Sequence, residues 1–455
     1  MSAALESLAR LRRTAGSGWV ETLREEAFAN FLEQGVPTRR LENWKGTNFS
    51  PLDVMEFARV GPGETGAERI VEPTLSPHSD AHELVFVDGR FDAEASHRSN
   101  LPVGIRALSL AEVLDNEPEL LEGKLGQLID LKRQSLVALQ TAFLEDGAVI
   151  VIDAGVRASR PLRTRFISTT ASTTEPTDSM NAASAAFPRL LVIAGEDSAA
   201  TLFQEHSTVG DAPGFTAFVA EFHLARGATI ESLQIQAEGA ERIHFTSAHA
   251  RLEGNARFHS HVFSLGNGLA RSELDVILAE PGAESTLCGL FIGRENGHID
   301  HFTTIDHAAE ECASDEEYRG VLADHSQGVF RGRVIVRPDA QQTDTRQSNP
   351  NLLLSDHASI DTKPQLEIYA NDIRASHGST IGQLDPDALF FLRARGISAT
   401  DARLLLTGAF AHGIVDRIAD EDLRRMAGTH VDAALRSLEN GALESGSSPE
   451  EVTKR

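Results

Sequence analysis

Cysteine is nearly missing from this 455-residue chain, which contains only Cys288 and Cys312. Two thiols build no disulfide framework and hold no four-thiolate metal cluster. Positive charge is also short: 42 Lys and Arg stand against 67 Asp and Glu, a formal net charge of -25. A surface this acidic repels phosphate backbones and anionic lipid, so nucleic acid and membrane are poor partners. Long apolar runs are absent. The strongest, AVIVIDAGV (148–156), is far too short to span a bilayer. The opening MSAALESLARLRRTAGSGWVE carries an early glutamate and no continuous apolar segment, unlike a secretory signal. These absences point to a reduced, soluble, cytoplasmic protein. No P-loop, dinucleotide fingerprint, nucleophile elbow or HExxH occurs, so catalysis has no anchor in the sequence.

What is present is a change of pattern along a chain long enough for two or three structural units. Residues 1–145 read as a mainly helical domain. Within it, 110–143 is rich in Leu, Glu, Lys and Gln with apolar residues at three- and four-residue spacing. HELVFVDGRFD (82–92) reads as a small strand and turn. From about residue 146 short runs of β-branched and aromatic residues alternate with turn residues, and this continues to residue 383. Segments 171–187 and 436–455 lack apolar periodicity and read as a flexible loop and a disordered tail.

The β-rich region repeats. EDSAATLFQEH (196–206), ARGATIESLQI (225–235), EGNARFHSHVF (253–263) and EPGAESTLCGL (280–290) each pass from turn residues through an alanine into alternating residues. The aligned alanines are Ala200, Ala228, Ala256 and Ala283, and DHASIDTKPQLEI (356–368) shows the same device around Ala358. A period near 28 residues with alternation suggests coils of a β-solenoid. Evenly spaced hairpins of a β-sandwich are the other reading. A solenoid has strand edges at its ends, and the flanking helical segments are the expected covers.

Beyond the repeat, residues 384–435 read as a C-terminal helical domain. Asp385 and Pro386 open one helix, and Ser398 with Asp401 opens a second that carries Leu406, Phe410, Ile414 and Ile418 on one apolar stripe.

Candidate metal ligands are histidines. His259 and His261 share one side of a strand, and His298, His301 and His307 fall within one coil, but neither spacing matches an established zinc motif. Cys288 alternates within a strand like a core residue, and the acidic surroundings of Cys312 disfavour a thiolate. His377 stands apart, flanked by Ser376 and Gly378 where the β-region meets the helices.

The segment SHGSTIGQLDPDALFFLRARGISATDARLLLTGAF (376–410) strongly resembles the C-terminal signature of the SufB/SufD family of iron–sulfur cluster assembly proteins. The likeness continues through 318–336, 340–368 and 187–206, and GVPTRRLENWKGTNFSPL (35–52) resembles a SufD-type N-terminal motif. Ser376-His377-Gly378 matches the SufD form rather than the SufB form. The resemblance implies a right-handed parallel β-helix flanked by N-terminal and C-terminal helical domains. It also implies a non-catalytic scaffold that pairs with a SufB-like subunit and docks a SufC-type ABC ATPase on its C-terminal helices. His377 would then contribute to a nascent cluster shared with SufB, with no cluster stably bound by the chain alone. Ala375 stands where many relatives have cysteine, which leaves the thiolates to the partner. The docking face expected for the ATPase includes Leu406, Phe410 and Ile414. A free solenoid edge is compatible with a homodimer of the isolated protein. A β-helix enzyme acting on polysaccharide and a purely structural interaction protein are the competing readings.

Overall fold

A computed structural model describes residue 7 and residues 18–58, 82–98, 101–169, 183–210 and 213–444, with side chains described through 438. Its centre is a parallel β-solenoid of about seven turns. Successive strands alternate between two sheets. One sheet runs from Ile105–Ser109 through Gly147–Ile152 to Gln327–Val336 and Ser359–Ile368. The other ends with Ala313–Leu322, Thr343–Leu353 and Ile373–Gly382. Each coil thus gives one strand to each sheet, and inward side chains of both sheets fill the lumen.

The coil corners explain the repeat. The carbonyls of Ser198, Ala228, Ala256, Ala283 and Cys312 each accept a hydrogen bond from the amide that opens a strand one coil later. Small residues recur here because consecutive corners stack directly. Just before them runs a ladder of left-handed backbone, including Asp197, Gly227, Asn255 and Gly282 at φ 55, 69, 56 and 74 degrees. Gly, Asn and Asp occupy such positions at least cost, which accounts for the turn residues that open each repeat.

Two alanines fall elsewhere than the alignment places them. Ala200 lies within a strand, paired with Ile230, because its coil is two residues longer than the next, the extra length lying at the opposite corner between Ser207 and Gly214. Ala358 belongs to the opposite corner, above Gly268, Gly297 and Ser326, since each coil has two similar turns.

The N-terminal region is less helical than its composition predicts. Its described helices are α1 (Trp19–Gln34), α2 (Leu110–Asn116) and α3 (Ser135–Ala142). Between α2 and α3, Pro118 and the left-handed Gly123 and Gly126 break the helical periodicity into short turns. Strands Glu83–Val87, Arg90–His97 and Ile105–Ser109 join the two sheets at one end of the solenoid, where Arg90–His97 runs antiparallel to Glu83–Val87 and Ile105–Ser109 runs antiparallel to Gly147–Ile152. Residues 183–186 of the expected loop form a strand, while 171–182 lie outside the described residues. The segment 436–444 continues a helix, and 445–455 likewise lie outside the description.

The C-terminal helices are α4 (Pro386–Arg393), α5 (Ala399–Val415) and α6 (Glu421–Glu444). They do not cover the terminal strand edges. Helices α5 and α6 lie on the outer face of the second sheet, where Ile414, Ile418, Leu423 and Val431 pack with Phe203, Leu233, Cys288 and Leu290. Helix α4 has no buried residue.

Candidate functional site: the open end of the solenoid

The strands Ser359–Ile368 and Ile373–Gly382 are each last in their sheet, so both present an unpaired edge. His377 sits on the second of these. In register its row runs Ser260, Leu287, Glu316, Gln347, His377. Leu287 belongs to the lumenal core, whereas the adjacent Cys288 faces the helices. By strand alternation His377 therefore occupies the lumenal row, and it is exposed only because no coil stacks above it. Ala375, two residues earlier on the same strand, shares the inward face and lies in register with Thr345. Space around the site is generous: a Cβ built on Gly378 or Gly382 meets no atom within 4 Å.

Among the described residues no group of three or more His, Cys, Asp or Glu is placed to hold a metal ion. Both cysteines are buried. Burial pushes the Cys288 thiol up to about 12. The Cys312 thiol is also raised, chiefly by burial and only to a lesser degree by the neighbouring Glu311. Four of the other candidate histidines sit in separate surroundings. His261 lies 3.3 Å from Glu231, whose carboxylate accepts from the amides of Ala419 and Asp420 before α6. His298 meets the Thr47 hydroxyl at 3.0 Å, His307 meets Ser314 at 2.9 Å, and His301 packs in the lumen beside Tyr318 and Phe291. They do not converge.

The stripe expected on α5 is partly committed to the protein's own core. Ile414 is fully buried against the second sheet. The Phe410 carbonyl accepts from Arg319 Nη1 at 2.6 Å, beneath the same guanidinium that covers its ring, and Leu406 is half-buried. Arg417 pairs with Asp315 and Glu317 and ties the end of α5 to the sheet. The apolar surface that is free lies beside it: Phe390 and Phe391 on α4 are 73% and 55% exposed, with Leu405, Ile381 and Tyr369 also exposed. Sequence reasoning missed the phenylalanines because an apolar run normally signals burial.

The N-terminal motif is a strap across the outer face of the first sheet. The Trp44 ring lies 4.0 Å from the buried Arg271 guanidinium, which pairs with Glu273 and Asp300. Thr47 donates to Asp300, Arg331 donates to the Glu42 carbonyl, and Lys363 on the terminal strand reaches Glu42 at 3.2 Å. The strap thus ends at the solenoid's open edge.

Comparison with known proteins decides the family. The SUF-system iron–sulfur cluster assembly SufBD core domain matches residues 177–410, and the SufBD N-terminal region matches residues 9–164. The chain belongs to the SufBD family. It is 28% identical to the iron–sulfur cluster assembly protein SufD of Escherichia coli over 88% of this chain and 90% of that one. It is 29% identical to an iron–sulfur cluster assembly SufBD family protein of Synechocystis, covering 84% of each. A chloroplast protein of Arabidopsis thaliana is 24% identical over 91% of this chain and 86% of its own length. The SufBD resemblance read from the motifs holds along nearly the whole chain, and the solenoid is the fold it implied. Among the described residues no helix is long and apolar enough to cross a membrane.

Proposed function

We propose that this SufBD protein is a non-catalytic, cytoplasmic scaffold subunit for iron–sulfur cluster assembly. It pairs with a SufB-like subunit through the open end of the solenoid and carries a SufC-type ABC ATPase on its C-terminal helices. The observation that carries this reading is the position of His377 on the lumenal row of an unpaired terminal strand, where the described residues form no metal-holding group of three or more. An edge strand pairs readily with another chain's strand, and such pairing brings a partner's side chains onto the next rung above His377. Neutral imidazole binds iron without adding charge and exchanges more readily than thiolate, which suits a transient cluster. The sulfur ligands come from the partner, since both cysteines here are buried and protonated. The ATPase docks on the face bearing Phe390, Phe391 and Leu405, because Ile414 is committed to the core.

The test is co-expression with a SufB-like chain and the ATPase. His377→Ala should leave the complex assembled and its melting temperature nearly unchanged, as for other surface substitutions, while cluster formation on anaerobic reconstitution falls. Normal cluster formation by that variant, or failure of the wild-type chains to associate, overturns the reading.

A further inference from the structure

The lumen is apolar at Leu202, Ile230, Phe258 and Leu287, yet its middle coils also bury small neutral polar side chains, as where Gln204 Nε2 donates to Ser232 Oγ at 2.7 Å and Ser260 shares the row of Leu287. In the next two coils the second sheet turns inward a carboxyl group, Glu316, then Thr345, Gln347 and Asn349, all buried. Gln347 Nε2 donates to Glu316 Oε2 at 2.6 Å. The Gln347 side chain reaches across the lumen only because Gly332 faces it, where a Cβ would stand 2.1 Å from Nε2. Among the described residues Gln347 Oε1 and His301 Nε2 have no hydrogen-bond partner, and Glu316 Oε1 has only the Thr303 hydroxyl near it, without the geometry of a well-formed hydrogen bond. A fully buried carboxyl group is therefore half-satisfied beside other unpartnered polar atoms.

No cation faces that carboxyl. On the strand opposite, His301 is kept neutral by burial, its pKa held down to about 4. On its own strand Asp315 and Glu317 alternate outward to Arg417 and Arg319, and burial raises the Tyr318 phenol well above its usual range. On the adjoining strands Cys288 faces the helices, Asp344 and Arg346 are exposed on the outer face, and Arg331 is held outside by Glu42. With nothing to neutralise it, burial pushes the Glu316 carboxyl up to about 7. Glu316, Gln347 and His377 occupy consecutive rungs of one row. Rungs of a sheet are about 4.8 Å apart, so Glu316 lies about 10 Å below the terminal position.

We propose that Glu316 is a proton-exchanging carboxyl coupled through Gln347 to the open end, releasing its proton when positive charge settles on the His377 rung. The exchange moves one proton between the carboxyl and water at the mouth of the lumen, and no electron moves. A unit positive charge about 10 Å away lowers the carboxyl midpoint by between about 0.3 and about 1.2 pH units, for water-like and protein-like effective dielectric constants. The inference rests on the proposed function only in taking the open end as the working end.

Infrared difference spectroscopy of the full-length protein tests it by titrating the protonated-carboxyl band between pH 5 and pH 9. Wild type should show a band that disappears around neutral pH, and Glu316→Gln, which keeps the shape of the protonated acid, should lack it. His377→Lys should move the midpoint down and His377→Glu should move it up, within the range just given. These two shifts need no Glu316 variant, so the test survives if Glu316→Gln fails to fold. Absence of a neutral-range carboxyl band, or a midpoint indifferent to charge at position 377, overturns the proposal. Partner association is read separately by co-purification, so a failed scaffold reading and a failed proton coupling are distinguishable.

Discussion

Lowering the pH from 7.5 to 5.0 should strip this protein of much of its stability, and the loss follows from histidines in its interior. His206, His249, His301 and His307 are buried, and burial holds the pKa of His206 at about 3 and of the other three at about 4. In the unfolded chain each returns to about 6.5. The stability these groups contribute is therefore present above pH 6.5 and lost as the pH falls toward their folded values. At pH 5 the unfolded chain holds a proton on nearly every such ring and the folded chain on few. That costs about 2 kcal/mol per ring and about 8 kcal/mol together. Glu316 acts in the opposite sense, because its raised pKa makes the protonated, folded form the favoured one below neutrality, returning about 2 to 3 kcal/mol at pH 5. The net loss from these five groups, about 5 to 6 kcal/mol, is comparable to the whole stability of many domains. Urea unfolding followed by circular dichroism at both pH values reads it directly. His206→Phe sharpens the test. The ring stacks on Phe166 and lies edge-on to Phe218, and among the described residues neither of its nitrogens has a hydrogen-bond partner. The variant should lose nothing at pH 7.5 and should recover about 2 kcal/mol at pH 5. Equal urea midpoints for wild type at the two pH values, or destabilisation of His206→Phe at pH 7.5, would refute the reasoning.

Three further outcomes follow from the packing and the open end. Ile414→Ala, at the buried contact of α5 with the second sheet, should cost about 2 to 5 kcal/mol by chemical denaturation. Phe390→Asp, on the exposed face of α4, should change stability by no more than about 0.5 kcal/mol yet weaken co-purification of the ATPase; undiminished capture would place the docking face elsewhere. The isolated protein should purify without stoichiometric iron and sulfide, because, among the described residues, no group of three or more His, Cys, Asp or Glu is placed to hold a metal ion and both thiols are buried and protonated; metal and sulfide analysis checks this.

The solenoid was legible because its signals are local and repeated. Alternation fixes which face is inward, and Gly227, Asn255 and Gly282 announce the left-handed corner residue once per coil. Ala228, Ala256 and Ala283 were aligned correctly, but Ala200 was not, since a two-residue difference in coil length leaves no local mark. The stripe on α5 was legible as apolar, yet amphipathicity says only that a face is covered and never by what. Ile414 turned out to be covered by the protein's own sheet. The polar lumen was invisible: Glu316 and Gln347 look like surface residues in a chain this acidic, and only the register reveals that they face inward. His377 was found through family resemblance, and its lumenal row needed the structure.

The two terminal strands end the solenoid side by side, one per sheet, and that doubling has a geometric consequence. A chain that continues one edge alone is free to slide, and each two-residue slip moves it about 7 Å along the strand. A chain that continues both edges at once is indexed twice, because any slip must be matched in two sheets joined by turns of fixed length. A one-residue error also turns its inward residues out. Which residue comes to lie over His377 is then dictated by main-chain geometry, leaving side chains elsewhere on the two faces free to drift without moving the meeting point.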